Sequence, residues 1–194
     1  MEITDTLLAD DERRLLAGMI GKTFDSFTCD DSIFAPTVFK SAWVKVDGKP
    51  YEIRNELQSL PYFGVIEDIG VVSVRACEPC DVKSHLVGQK LAVNKVGRAI
   101  KDILLFEDTH TCVKTGVEFA GYAFTAAIVF MLDGTEVVFE KGIPFEEDMD
   151  VYRGPGASVK VHAPEEMMEE SESPEYSYRV ERDVVSLREW AAKQ

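Results

Sequence analysis

The tightest constraint in the sequence is an alternation of apolar and polar residues that turns back on itself at Asp-Gly. Val44 and Val46 flank Lys45, Asp47-Gly48 follows, and Tyr51, Ile53, Asn55 and Leu57 then alternate with Glu52, Arg54 and Glu56. A period of two places one set on each face of a strand, and Asp-Gly tolerates the positive φ of a two-residue hairpin turn. The residues from Lys40 onward therefore predict a β-hairpin with one buried face, and residues 69–74 continue as a strand. A second hairpin is predicted over residues 127–140, around Asp133-Gly134. Its first arm, Ile128-Val129-Phe130-Met131-Leu132, is apolar at every position, which suits a strand covered on both sides. Residues 97–106 and 149–153 read as further strands.

The two hairpins belong to a longer match. Ile20-Gly21-Lys22-Thr23-Phe24 aligns with Val96-Gly97-Arg98-Ala99-Ile100, and Phe27 then falls on Ile103. The hairpins set Val44 on Phe130, Val46 on Leu132, Tyr51 on Val137 and Ile53 on Phe139. Pro61-Tyr62 and Glu67-Asp68-Ile69-Gly70-Val71 align with Pro144-Phe145 and Glu147-Asp148-Met149-Asp150-Val151. The landmarks keep one order and one inward parity, which a one-residue slip would reverse, so they predict an internal duplication. Each unit is small, about 55 residues, and buries little alone, so the two are expected to share a core.

The expected fold is mainly β (α+β): two tandem small β units, SH3-like or bent-sheet, with an N-terminal and a C-terminal helix. Residues 1–75 read as the N-terminal helix plus the first unit, and 76–95 as a connector with a short helix. Residues 96–153 read as the second unit, and 154–194 as an acidic loop, a strand and the last helix on the same body. The doubly apolar arm at 128–132 is where the units are expected to meet.

Residues 10–20 read as the first helix, capped by Asp10 or Asp11, with Leu15, Leu16, Met19 and Ile20 as its apolar stripe. Glu12 there suits the positive N-terminal end. Gly154-Pro155-Gly156 breaks the chain after Arg153. Beyond it, residues 158–161 suggest a short strand, 164–173 an acidic mobile loop, and Tyr176, Tyr178 and Val180 another strand. Asp183 is expected to cap the last helix, with Val184, Leu187 and Ala191 at helical spacing and Trp190 docking it.

Charge narrows the function classes. The chain of 194 residues has 35 acidic and 21 basic side chains, a formal net charge of −14. Such a chain has no general attraction to phosphate backbones or anionic lipid. The nearest basic stretch, Lys83, Lys90, Lys95, Arg98 and Lys101, is scattered among apolar residues. No apolar run approaches the roughly 20 residues of a membrane-spanning helix. The first residues lack the basic start and apolar core of a signal peptide. No nucleic acid, no membrane and a cytoplasmic location are therefore expected. The acids concentrate in residues 163–183, eight against two bases, and in 136–150, six against one.

Four cysteines, Cys29, Cys77, Cys80 and Cys112, are too sparse for a disulfide scaffold and read as free thiols. Cys77-Glu78-Pro79-Cys80 is the sharpest motif. As a redox pair it needs a thiolate at a helix start, but the consecutive hairpins that follow do not suit a thioredoxin-like fold. As half of a zinc site it needs two more ligands, which His110 and Cys112 could supply, with His85 or Cys29 as alternatives. The plainest reading is two small apolar side chains in a connector.

His85, His110 and His162 stand alone in the sequence, without a nearby nucleophile. No nucleophile elbow, phosphate-binding loop, dinucleotide fingerprint or deaminase pattern occurs. Glu146-Glu147-Asp148-Met149-Asp150 lacks the glycine of a calcium loop, and its carboxylates are expected to accept backbone N–H bonds in a turn. The sequence assigns no catalytic, cofactor-binding or metal-binding residue.

The expected function is a non-enzymatic cytoplasmic protein-binding or adaptor protein. The alternatives are a zinc-binding or thiol-redox protein using Cys77 and Cys80, and an acidic inhibitor that imitates nucleic acid.

Overall fold

The computed structural model describes residues 2–30, 37–88, 90–167 and 176–194. Its strands are β1 (Glu2–Thr6), β2 (Thr23–Asp30), β3 (Thr37–Phe39), β4 (Ser41–Val46), β5 (Lys49–Tyr62) and β6 (Val65–Ala76). They continue as β7 (Leu91–Lys114), β8 (Val117–Leu132), β9 (Thr135–Lys141), β10 (Asp148–Gly154) and β11 (Tyr176–Ser186). The helices are α1 (Asp10–Ala17) and α2 (Leu187–Ala191). The protein is mainly β.

Three hairpins turn on pairs with positive φ at both central residues: Asp47-Gly48 (46° and 77°), Phe63-Gly64 (47° and 92°) and Thr115-Gly116 (50° and 81°). This turn matches the natural twist of its flanking strands, so each hairpin continues the sheet without splaying. The strand order is β3-β10-β9-β8-β7-β2-β4-β5-β6, with β1 parallel to β8 and β11 antiparallel to β7. The sheet is not closed into a barrel. Its ends approach at Lys40 (φ 66°), where β3 runs into β4. The Lys40 N–H donates to Glu147 O at 2.9 Å, and the Asn55 N–H donates to Lys40 O at 2.8 Å.

β7 organises the sheet. Residues 91–99 pair with β2, and from Ile100 onward the strand pairs with β8. Residues 104–114 also take β11 on the other side. The main core lies under this arrangement. Phe24 packs edge-on to Phe130 at 4.9 Å, and Phe27 and Phe130 both meet Phe139 at about 6 Å. Leu16 of α1 and Leu187 of α2 are fully buried in the same cluster.

Several sequence expectations need correction. The first helix stops at Ala17, and its N-cap is Ala9, not Asp10 or Asp11; the Ala9 N–H donates to Glu12 Oε2 at 2.8 Å. Residues 157–160 form a 3₁₀ turn rather than a strand. Asp183 does not start the last helix, because residues 183–186 remain in β11, opposite Leu104 to Glu107. Ser186 is the cap and accepts from the Glu189 N–H. The connector's helix is a single 3₁₀ turn at Pro79–Asp81. Of the acidic loop, residues 164–167 form a 3₁₀ turn, and 168–173 lie outside the described residues.

The arm at 128–132 is covered on both sides as expected, but by different neighbours. Ile128, Phe130 and Leu132 join the main core, whereas Val129 packs with Val138, Ala157 and Val161. The second cover comes from the segment after β10, while the core side of the arm sets Phe130 against Phe24.

Candidate functional site

The long strands run past the core and end in an apolar face. Val65 and Ile66 begin β6, Val117 and Phe119 begin β8, and Ile3 lies in β1; all five are 46–68% exposed. Ile3 sits opposite Gly121, two residues along the strand from Phe119, and its side chain lies against Gly121. Gly64 brings the β5–β6 turn against the Phe119 ring, where a Cβ would lie 3.4 Å away. Beneath, Phe63 packs on Tyr178 at 5.4 Å, and Tyr62 packs on Tyr122 and Phe145 at 5.5 and 5.2 Å. The exposed face thus rests on an ordered aromatic layer.

Inward from the tips lies a layer of buried polar groups. Lys141 is 2% exposed, and its Nζ donates to Gly70 O and, at 3.0 Å, to the Tyr122 hydroxyl. Nζ also lies 4.9 Å above the Phe124 ring. Burial without a carboxylate partner lowers its pKa to about 7. His110 is fully buried against the edge of Phe124, and burial lowers its pKa to about 4. Neither of its ring nitrogens has a hydrogen-bond partner among the described residues. Asp108, also fully buried, receives two 2.6 Å bonds from the Arg182 guanidinium.

On the outer side of β9 and β10, Glu140 and Asp150 are directly opposite each other in the ladder. His162 approaches from the segment beyond β10, with Nδ1 3.2 Å from Glu140 Oε2. Among the described residues, these three form the one group of three or more potential ligands that converges, with donor atoms within 4.8 Å of one another.

The proposed cysteine–histidine set does not assemble among the described residues. Cys112 is buried on β7 opposite Ala120, and His110 opposite Tyr122. Cys77 follows β6 and Cys80 is exposed beside it. Burial pushes the Cys77 thiol up to about 11, with the Glu52 carboxylate adding to the shift, the reverse of what an attacking thiolate needs. Pro79 of the same motif, with Val82, walls a groove of about 280 Å³ over Trp43, Ser26 and Thr28. His85 stacks on Trp43 at 5.8 Å, and its Nε2 lies 2.9 Å from Ser41 Oγ. In the acidic stretch, Glu147 pairs with Lys40 at 2.9 Å and also accepts the Leu57 N–H.

Sequence reading missed the convergence of Glu140 with Asp150. Its available signal was the Pro144 turn between two predicted strands, whose pairing sets the two carboxylates face to face.

The fold defines a mainly β protein built on one largely antiparallel sheet. No family model matches the chain, and neither a curated protein nor a solved structure matches it.

Proposed function

We propose that this is a non-enzymatic binding protein that engages another protein through the apolar face formed by Ile3, Val65, Ile66, Val117 and Phe119. The observation that carries this reading is the gathering of five exposed large apolar side chains at the strand tips of a chain at −14. Exposed large apolar side chains gathered at one end of a fold are a common mark of an interaction surface.

Strand addition elsewhere is disfavoured. The outer edge of β6 is occupied where the Gly70 N–H donates to Pro144 O and the Val74 N–H donates to the Glu12 carboxylate. The outer strand β11 carries Arg179, Glu181, Arg182 and Asp183. A cytoplasmic setting belongs to the same proposal, supported by four cysteines that form no disulfide among the described residues.

The two-unit description also stays part of the proposal. Phe27 pairs with Val44, which pairs with Tyr51; Ile103 pairs with Phe130, which pairs with Val137. Those are the aligned positions of the internal match, and they support two four-stranded meanders joined through β2 and β7.

The test is a pull-down from native extract with wild-type protein and an Ile66→Lys/Phe119→Lys double variant, at low and high salt. The expected outcome is a partner that wild type retains at both salts and the folded variant loses. Retention only at low salt would overturn the apolar reading in favour of the acidic nucleic-acid mimic, because salt screens charge. Equal retention by both proteins would also overturn it.

A further inference from the structure

We propose that Glu140, Asp150 and His162 form a binding site for a first-row transition-metal dication, with zinc as the ion best suited to its donors. This site lies apart from the strand-tip face and does not depend on the function proposed for that face.

Carboxylates directly opposite on adjacent antiparallel strands repel, and such pairs destabilise a sheet unless a positive charge lies between them. Here one member of the pair is 1% exposed. Glu140 Oε2 faces His162 Nδ1 at 3.2 Å, and the Tyr152 hydroxyl also reaches the Glu140 carboxylate. A buried carboxylate directly opposite a second carboxylate is costly without a cation.

The donors are held in place. Glu140 Oε1 accepts the His162 backbone N–H at 2.8 Å, which leaves Oε2 turned toward the imidazole. Asp150 Oδ1 accepts from the Thr37 hydroxyl at 2.6 Å, and Oδ2 from the Tyr152 hydroxyl at 3.3 Å. The His162 carbonyl accepts from Arg182 Nη1 at 2.7 Å, and the paired Asp108 fixes that guanidinium in turn. Hydrogen bonds that orient ligands from outside are a usual part of metal sites.

Zinc takes imidazole nitrogen and carboxylate oxygen at about 2.0–2.2 Å, so tetrahedral ligand atoms lie about 3.4 Å apart. The three donors are within 4.8 Å of one another, and the His162 side chain is 47% exposed. A modest turn of that ring closes the set and leaves the solvent side open for ion entry and for a fourth ligand. Two oxygens and one imidazole nitrogen suit zinc better than magnesium, which favours an all-oxygen octahedron and keeps its waters.

The experiment is calorimetric titration of the full chain with Zn²⁺, and separately with Mg²⁺, in a Cys77→Ser/Cys80→Ser background that removes the competing thiols. One equivalent of Zn²⁺ is expected to bind and raise the Tm by several degrees, while Mg²⁺ at the same concentration does neither. His162→Ala, an exposed change that leaves the sheet intact by circular dichroism, should weaken Zn²⁺ at least tenfold. Asp150→Asn should do the same, so the test does not depend on a buried Glu140 variant that fails to fold. The proposal is overturned if Zn²⁺ does not bind, if binding survives both substitutions, or if Mg²⁺ binds equally well.

Discussion

At the residue scale, Lys141 gives the sharpest prediction. Its native pKa of about 7 lies well below the ordinary 10.5. Between those values the unfolded chain carries an ammonium and the native protein a neutral amine, so unfolding takes up a proton. Stability conferred at this position is therefore smallest below pH 7 and grows as pH rises toward 10.5. Relative to a Lys141→Met variant, wild type should gain about 2 kcal/mol between pH 7 and pH 9. Urea unfolding at the two pH values reads this directly, and parallel behaviour of the two proteins would show that the amine stays charged in the fold. His110 works in the same direction over a lower pH range. Its pKa of about 4 means that the native state loses stability as pH falls from 6.5 toward 4.

At the scale of elements, Gly70 joins two parts of the sheet. A Cβ there would collide with the Glu146 carbonyl and lie 2.6 Å from Asn55 Oδ1. The Asn55 amide meanwhile donates to Glu146 O and Asp148 O at 2.9 and 3.1 Å. Gly70→Ala should cost about 2 kcal/mol or more, because neither backbone nor a bonded amide can yield cheaply. The loss is read as a lower denaturation midpoint, and hydrogen exchange should show β6 opening first.

The same scale shows what the sequence made legible. Asp47-Gly48 announced its hairpin because Asp and Gly are the residues that accept positive φ. The equivalent turns at Phe63-Gly64 and Thr115-Gly116 carry only half of that signal, so the ends of β5 to β8 were not read. Register shifts at Ile100/Asp102, Phe106/Glu107 and Cys112/Val113 break the simple alternation of β7 and β8, and a period-two reading stops at such bulges. Asp183 misled because Val184, Leu187 and Ala191 also fit a helix, whereas pairing of residues 183–186 with β7 decides the matter. The candidate metal ligands were individually visible, but their meeting depends on the β9–β10 register and on where Arg182 holds His162.

For the whole molecule, α2 tests how the C-terminal segment docks. Leu187 is fully buried with Leu16 and Met19, whereas Val184 is 56% exposed. Leu187→Ala should cost about 2–4 kcal/mol, and Val184→Ala should stay within about 0.5 kcal/mol. Equal losses at both positions in chemical denaturation would mean that the helix begins earlier than Ser186. The charge of −14 is likewise unevenly used: the acids of β9 and β10 include a directly opposed pair with one buried member, while many others are solvated.

β1 lies beside β8, and the Thr6 hydroxyl donates to Ala123 O, 117 residues further along the chain. During synthesis at 5–20 residues per second, that partner emerges roughly 6–24 s later. Through that interval the growing chain must keep Leu8 and the helix behind it from premature association. β1 thus finds its place only after a partner made more than a hundred residues later has emerged.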